Sequence, residues 1–505
     1  MLLNAKPNAA SAQAKLERRA RADMKRGTAL MEKIKRGEGT EKDMLALKSV
    51  ATELGVKIPT GPNPHEGAAV VLARHRRDQG FDVTRNGTSW FGGLPALGAS
   101  DWPNAKTGRP MTPLAQIDLA TAAPKISIPG LPTTGSLAFF VNTSEGPLQG
   151  AVRYIPGPTS QPTPSPAGLY PLENGFIGGP MRLGEPAEAQ LLYPRMAIEM
   201  AGLTSAEMAE DEMLQGRITD LFGPGREYFL GVSSFADQFP AKDKPINRDC
   251  VARFARGAGM SLVNGEKVPA KLEQQSADYR KRLAGLEPRL PELRAAAQAP
   301  DADGPAVEAH RIAQSHVLQM NEKIARMDYE LSHFGAESLS LQASVKALND
   351  WAARGDRWAM LTSAEQSEIA PLLVRWTDYG ALGTLHLRET YQVHRSMGDA
   401  ANETLRAMVV AQNDVFAALP DAVQAAADGP CRQPTRGLRH QMFGLPTSFQ
   451  TAAYDHSDHY LLLQIYTDDL QGFSWGDMGI LHFWIRPDDL SAGNWSKVKF
   501  SRECH

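Results

Sequence analysis

With 505 residues, 42% of them hydrophobic and 22% charged, the chain has the make-up of a soluble globular protein too long for one ordinary core. A net charge of -3 and a pI near 6.5 speak against a general nucleic-acid binder, and no run of about 18 apolar residues is present to span a membrane. Three isolated cysteines, Cys250, Cys431 and Cys504, spell neither a disulfide framework nor a zinc site. The start, Met1-Leu2-Leu3-Asn4-Ala5-Lys6-Pro7, lacks the apolar core of a signal peptide, so a reducing cytoplasm is the expected compartment.

The first 60 residues hold 13 Lys and Arg against 7 Asp and Glu. Their signs are intermixed, which predicts a solvated basic helical arm over residues 1–58 rather than a nucleic-acid or membrane patch. Leu45, Leu47, Val50 and Leu54 give that arm an apolar stripe, and Pro59–Pro64 is a linker by composition. From Trp90 the texture changes to strands and turns, and residues 59–240 are expected to form the first half of an α+β domain. Leu114–Leu119, Leu137–Val141 and Val152–Ile155 are its clearest strands, and Thr204 with Glu207 has capping-box spacing. Residues 241–430 are predicted to be helical. Leu272, Tyr279, Leu283, Leu286, Leu290 and Leu293 form one apolar seam, and Val317, Met320, Ile324, Met327 and Leu331 another. Those spacings predict a coiled-coil-like helical hairpin, followed by separate helices near 337–353, 363–378 and 398–418. Residues 431–505 return to strands and form the second half.

Three blocks occur twice in the same order. Gly93-Leu94-Pro95, Gln116-Ile117 and Gly135–Val141 answer to Gly444-Leu445-Pro446, Gln464-Ile465 and Gly479–Ile485. This self-similarity predicts a duplicated mixed or antiparallel sheet module, two half-modules folding as one domain with an all-α insertion between them.

Candidate functional residues follow from the same layout. Two half-modules related by a dyad would bring equivalent positions together, so Trp102, Gln116, Asp118, Gln464, Trp475, Asp477 and His482 are the expected lining of a ligand cleft. Each also has a structural alternative: Trp102 and Trp475 as plugs of the core, Asp477 closing a tight turn, His482 as a surface residue. His440 reads as a hydrogen-bonded turn residue. Asp455-His456-Ser457-Asp458-His459 has imidazoles and carboxylates suited to a metal, but also reads as a polar loop, and no metal is assigned. In the insertion, Trp351, Trp358, Trp376 and Tyr379 among Arg354, Arg357 and Arg375 fit either a protein-binding hot spot or bundle packing. No Walker A lysine, G-x-S-x-G elbow or H-E-x-x-H helix occurs. No catalytic residue or cofactor is therefore assigned.

The blocks His440–Pro446, Leu461–Ile465, Trp475–Ile485 and Asp488-Asp489-Leu490, with Gly92–Pro95, Trp102-Pro103, Pro113–Leu119 and the Leu131–Phe140 segment, resemble the YwqG-like proteins, a family without an established activity. The resemblance runs over about 88–156 and 437–500. It implies a bacterial, cytoplasmic α+β domain and, because such proteins occur near toxin genes, an immunity- or antitoxin-like role. The expected function is a non-catalytic protein-binding module with a protein partner, toxin-like or other. The alternative is a small-ligand-binding protein or hydrolase using the cleft.

Overall fold

The computed structural model describes residues 67–77, 80–142, 148–157, 161–169, 192–209, 211–222, 235–265, 268–382, 397–429, 431–432 and 439–504, with residue 172 and a few positions between 25 and 50. The expected arm over 1–58 and the linker after it lie almost wholly outside these residues.

Among the described residues ten strands form one antiparallel sheet: β1 (Ala69–Arg74), β2 (Trp90–Phe91), β3 (Thr112–Asp118), β4 (Ser136–Val141), β5 (Gly150–Ile155), β6 (Met196–Leu203), β7 (His440–Phe443), β8 (Tyr460–Tyr466), β9 (Ile480–Ile485) and β10 (Lys499–Glu503). Their order is β10-β9-β8-β7-β1-β6-β2-β3-β4-β5. The sheet is thus a palindrome about the β1–β6 pair, which runs Ala69↔Leu203 to Arg74↔Ile198.

The palindrome is the duplication in three dimensions. Aligned on Leu94-Pro95 and Leu445-Pro446, β2 matches β7. Gly92 and Gly93 (φ 58° and 63°) then fall on Phe443 and Gly444 (φ 58° and 66°), so both copies turn through the same left-handed pair. Aligned on the two glutamines, β3 matches β8. Each of these strands has a register shift at the same point, between Pro113 and Ala115 in one copy and between Leu461 and Leu463 in the other.

Strand pairing adds something the repeats do not reveal. β1 pairs with β7 as well as with β6, and β6 pairs with β2. Each copy therefore lends its first strand to the other. The copies are β1–β5 and β6–β10, and the dyad passes through the paired residues Ala73 and Glu199. The helical insertion separates the two sheet segments as expected, falling between β6 and β7, and the dyad places β6 with the second copy.

Alternation explains the core. Val70 and Leu72 of β1, Ile117 of β3, Leu137 and Phe139 of β4, Ile465 of β8 and Leu481 and Phe483 of β9 all enter one buried cluster. Strands so distant in the order can share a core only because the twisted sheet curls on itself. Dyad mates Phe139 and Phe483 meet edge to face, centroids 5.2 Å apart. At the seam, Tyr154 stacks on Trp495 at 5.6 Å, and a Cβ on Gly150 would strike Phe500 and Phe483. The result is an open barrel closed by side chains.

Against the outside of the central strands packs α1 (Asp211–Phe222), through Leu214, Ile218 and Phe222 on Val71 and Ala73. Thr204 and Glu207 make the anticipated reciprocal cap, Glu207 Oε2 accepting from the Thr204 amide at 2.8 Å. The insertion includes α2 (Arg248–Gly265), α3 (Val268–Leu286), α4 (Leu290–Ala297), α5 (Gly304–Ala352), α6 (Ser363–Leu382) and α7 (Met397–Val409). Leu272 of α3 meets Ile324 and Met327 of α5, with Tyr279, Leu283 and Leu331 beside them, so the two expected seams face one another. The expected break before residue 337 is absent. Gly335 is exposed, and α5 runs unbroken for 49 residues, about 74 Å at 1.5 Å per residue.

Candidate functional site

The seven residues proposed as one lining lie in separate places. Gln116 projects to the outside of the barrel beneath the loop after β2. Its Oε1 accepts from the Ala96 amide at 2.7 Å, while Nε2 donates to the Ala96 carbonyl at 3.2 Å and to Ser136 Oγ at 2.9 Å. Gln464 repeats this on the other copy, accepting from the Thr447 amide at 2.8 Å and donating to the Arg439 carbonyl at 2.8 Å. Each glutamine is a clamp on the chain leaving its Gly-Leu-Pro turn. His482, the cross-strand neighbour of Gln464, donates from Nε2 to the Thr447 carbonyl at 2.9 Å. Asp118 caps the single helical turn that follows β3, accepting from the Ala120 amide at 3.2 Å. Trp102 packs on Phe140 outside the barrel and donates to the Met111 carbonyl at 2.9 Å. Trp475 is inside, against Phe473 and Tyr193. Asp477 is exposed. Only Gln464 and His482 come together, and what they hold is backbone.

A buried polar network beside the dyad joins residues far apart in the chain. Arg74 at the end of β1 donates to the Asp468 carboxylate and to the Cys431 carbonyl. Asp468 also faces His440 Nε2, at 3.4 Å. The Tyr466 amide donates to His440 Nδ1 at 3.1 Å, so Nδ1 accepts and the ring proton sits on Nε2, toward the carboxylate. All three side chains are buried, Asp468 at 2% exposure and His440 at 1%. Burial alone would raise the Asp468 carboxyl, but Arg74 and the His440 hydrogen bond hold it well below the usual range. Burial pushes His440 down, against the pull of Asp468. A neutral imidazole with both nitrogens engaged has no atom to spare for general base work. In the first copy, Ser89 stands where His440 does, and its Oγ accepts from the Asp118 amide at 2.8 Å. Duplication thus supplies the hydrogen bond in both halves, and only the second elaborates it into a charged clamp on the borrowed strand β1.

The histidine pair ahead of β8 is simpler. His456 stacks on Trp484 at 5.1 Å, and burial followed by the neighbouring His459 lowers it to about 4. His459 is bound to Asp458 at 2.6 Å, which Arg486 also holds at 2.7 Å. Among the described residues no group of three or more His, Cys, Asp or Glu is placed to hold a metal ion.

In the insertion, Trp351 is buried beneath Arg248, whose guanidinium lies 4.2 Å from the ring centroid, and Trp358 is half-buried under Arg357. These tryptophans pack the bundle. The side chains of Arg375, Trp376 and Tyr379 lie outside the described residues. Of the five large apolar side chains exposed among the described residues of α5, Ile312 (42%) points elsewhere, while Val307, Leu318, Tyr329 and Leu339 are 50%, 61%, 60% and 68% exposed. Their spacings of 11, 11 and 10 place them within about 80° of one another on a 3.6-residue helix. The four residues stand apart from Ile324, Met327 and Leu331, which meet α3.

Among the described residues no helix is long and apolar enough to cross a membrane. No curated protein matches the chain in sequence. The family model described as "Domain of unknown function (DUF1963)" matches residues 89–215 and 319–504. The second segment begins inside α5, so the match takes in more of the helical region than the repeated blocks alone indicate. The two segments span more than half the chain and contain nine of the ten strands, β2–β6 and β7–β10, and the chain therefore belongs to the DUF1963 family.

Proposed function

We propose that the protein is a non-catalytic protein-binding module that engages its partner through the helical insertion. The observation that carries this is the row of large apolar side chains on the solvent face of α5. Four such residues share one exposed face of a roughly 74 Å helix at intervals of about 16 Å, so a partner helix laid along α5 would meet each in turn. The barrel supports the same reading, since its most chemistry-rich side chains are committed to holding backbone. An immunity- or antitoxin-like role, implied by the family resemblance, is one form of this proposal, with a toxin-like protein as the partner.

The test is affinity capture with the full chain as bait, wild type against Leu318→Glu/Tyr329→Glu. Both positions are exposed, so the variant should keep its helicity and melting temperature. The expected outcome is a stoichiometric protein, a second copy included, retained by the wild type and lost by the variant. Equal retention by both would remove α5 as the docking face.

A further inference from the structure

We propose that the outer face of α5 pairs with the same face of a second copy, antiparallel, to give a dyad-symmetric dimer. This rests on the reading that α5 is a docking face, and it names the occupant.

The spacing of the exposed residues is itself close to a palindrome. Val307 and Leu318 stand 11 apart at one end, Tyr329 and Leu339 stand 10 apart at the other, and 11 residues separate the inner pair. Laid antiparallel on a copy of itself, the helix places Val307 opposite Leu339 and Leu318 opposite Tyr329, each contact occurring twice. That is what an isologous interface requires. A parallel pairing would instead set each residue against its own copy and waste the complementarity of Leu318 with the Tyr329 ring.

The centre of the palindrome falls between residues 323 and 324, and the seam residue nearest it is Ala325, which is exposed. A methyl group beside the dyad lets two helix axes approach closely, and the bulky pairs then close above and below it. Charge agrees with the direction. Asp303, the N-cap, lies at one end of the helix and Lys346, which also binds Asp350, at the other, on one flank of the seam, and both are exposed. The antiparallel register brings them within about one turn of each other between copies, where opposite charges steer pairing. A parallel register would set Asp303 beside Asp303. Between Val307 and Ala343 the seam and its flanks offer about twenty residues a side, the number that makes a standard interface of about 800 Å² per partner.

The experiment uses the full chain. Sedimentation equilibrium at tens of micromolar should give a dimer for the wild type and a monomer for Leu318→Glu/Tyr329→Glu, with circular dichroism unchanged. Under mild oxidation Ala325→Cys, close to the dyad, should form a disulfide-linked dimer. Val307→Cys should not, because its two copies would lie about 50 Å apart along the helices at 1.5 Å per residue. A monomeric wild type, a dimer indifferent to the double substitution, or cross-linking at both positions would each overturn the proposal. A monomer whose complex with some other protein is lost in the double variant overturns self-pairing and leaves the protein-binding reading standing.

Discussion

Two buried glutamines show how much of this fold rests on single side chains that satisfy backbone. Gln116 and Gln464 are 2% and 0% exposed, and truncating either strands a buried amide. Gln116→Ala and Gln464→Ala should each cost about 1–3 kcal/mol in urea unfolding. Because the two clamps share no partner, the double variant should lose the sum. The clamp beside the dyad is more demanding: Asp468→Asn leaves Arg74 buried without its counter-ion and should cost about 3–5 kcal/mol. It also makes stability depend on pH in a definite direction. Asp468 and His440 both have folded-state values below their unfolded ones. Unfolding therefore takes up protons, and stability is complete above about pH 6.5 and falls on acidification. His440 contributes first, as pH drops below its unfolded value, and Asp468 near pH 4 and lower. His440→Asn should flatten the pH 5–6.5 slope of unfolding free energy by up to about 1.4 kcal/mol per pH unit. His456 and His459, also held down by burial, should keep part of it. None of this was readable from sequence, since Arg74 and Asp468 lie 394 residues apart.

At the scale of the element, the sequence was legible where chemistry repeats and illegible where only topology does. Gly-Leu-Pro and Gln-Ile recur because a left-handed turn and a backbone clamp each need one residue type at one place. The second copy keeps the turn even with Phe443 at φ 58°, a conformation that costs a bulky residue of order 1–3 kcal/mol. Gly444→Ala should be worse still: its Cβ would crowd Ala69 in the same left-handed geometry, and a drop in thermal midpoint of several degrees is expected. Strand exchange between the copies left no mark, because β1 and β6 are largely apolar runs that would suit either neighbour. A separate helix near 337–353 was expected, yet the structure carries α5 straight through Gly335. A Cβ on Gly335 would meet nothing within 4 Å. Gly335→Ala should accordingly stabilise the protein by about 0.5–1 kcal/mol, measured as a rise in the urea midpoint.

For the molecule as a whole, the palindromic sheet makes one barrel from two copies of a five-strand unit. Neither copy is self-sufficient, because each takes its first strand from the other. A chain cut between β5 and β6, which separates the two copies, should therefore give two fragments that show no cooperative unfolding alone and regain it on mixing, as followed by tryptophan fluorescence. The order of synthesis sharpens the point. Once β6 has paired with β1, the far edge of β1 stays bare until β7 emerges, roughly 240 residues later. At about 5–20 residues per second, the ribosome holds that edge open for about 12–50 s, long enough for another nascent chain to dock on it. A chaperone that covers exposed strand edges during translation should therefore matter more to the yield of this protein than to the stability of what is finally made.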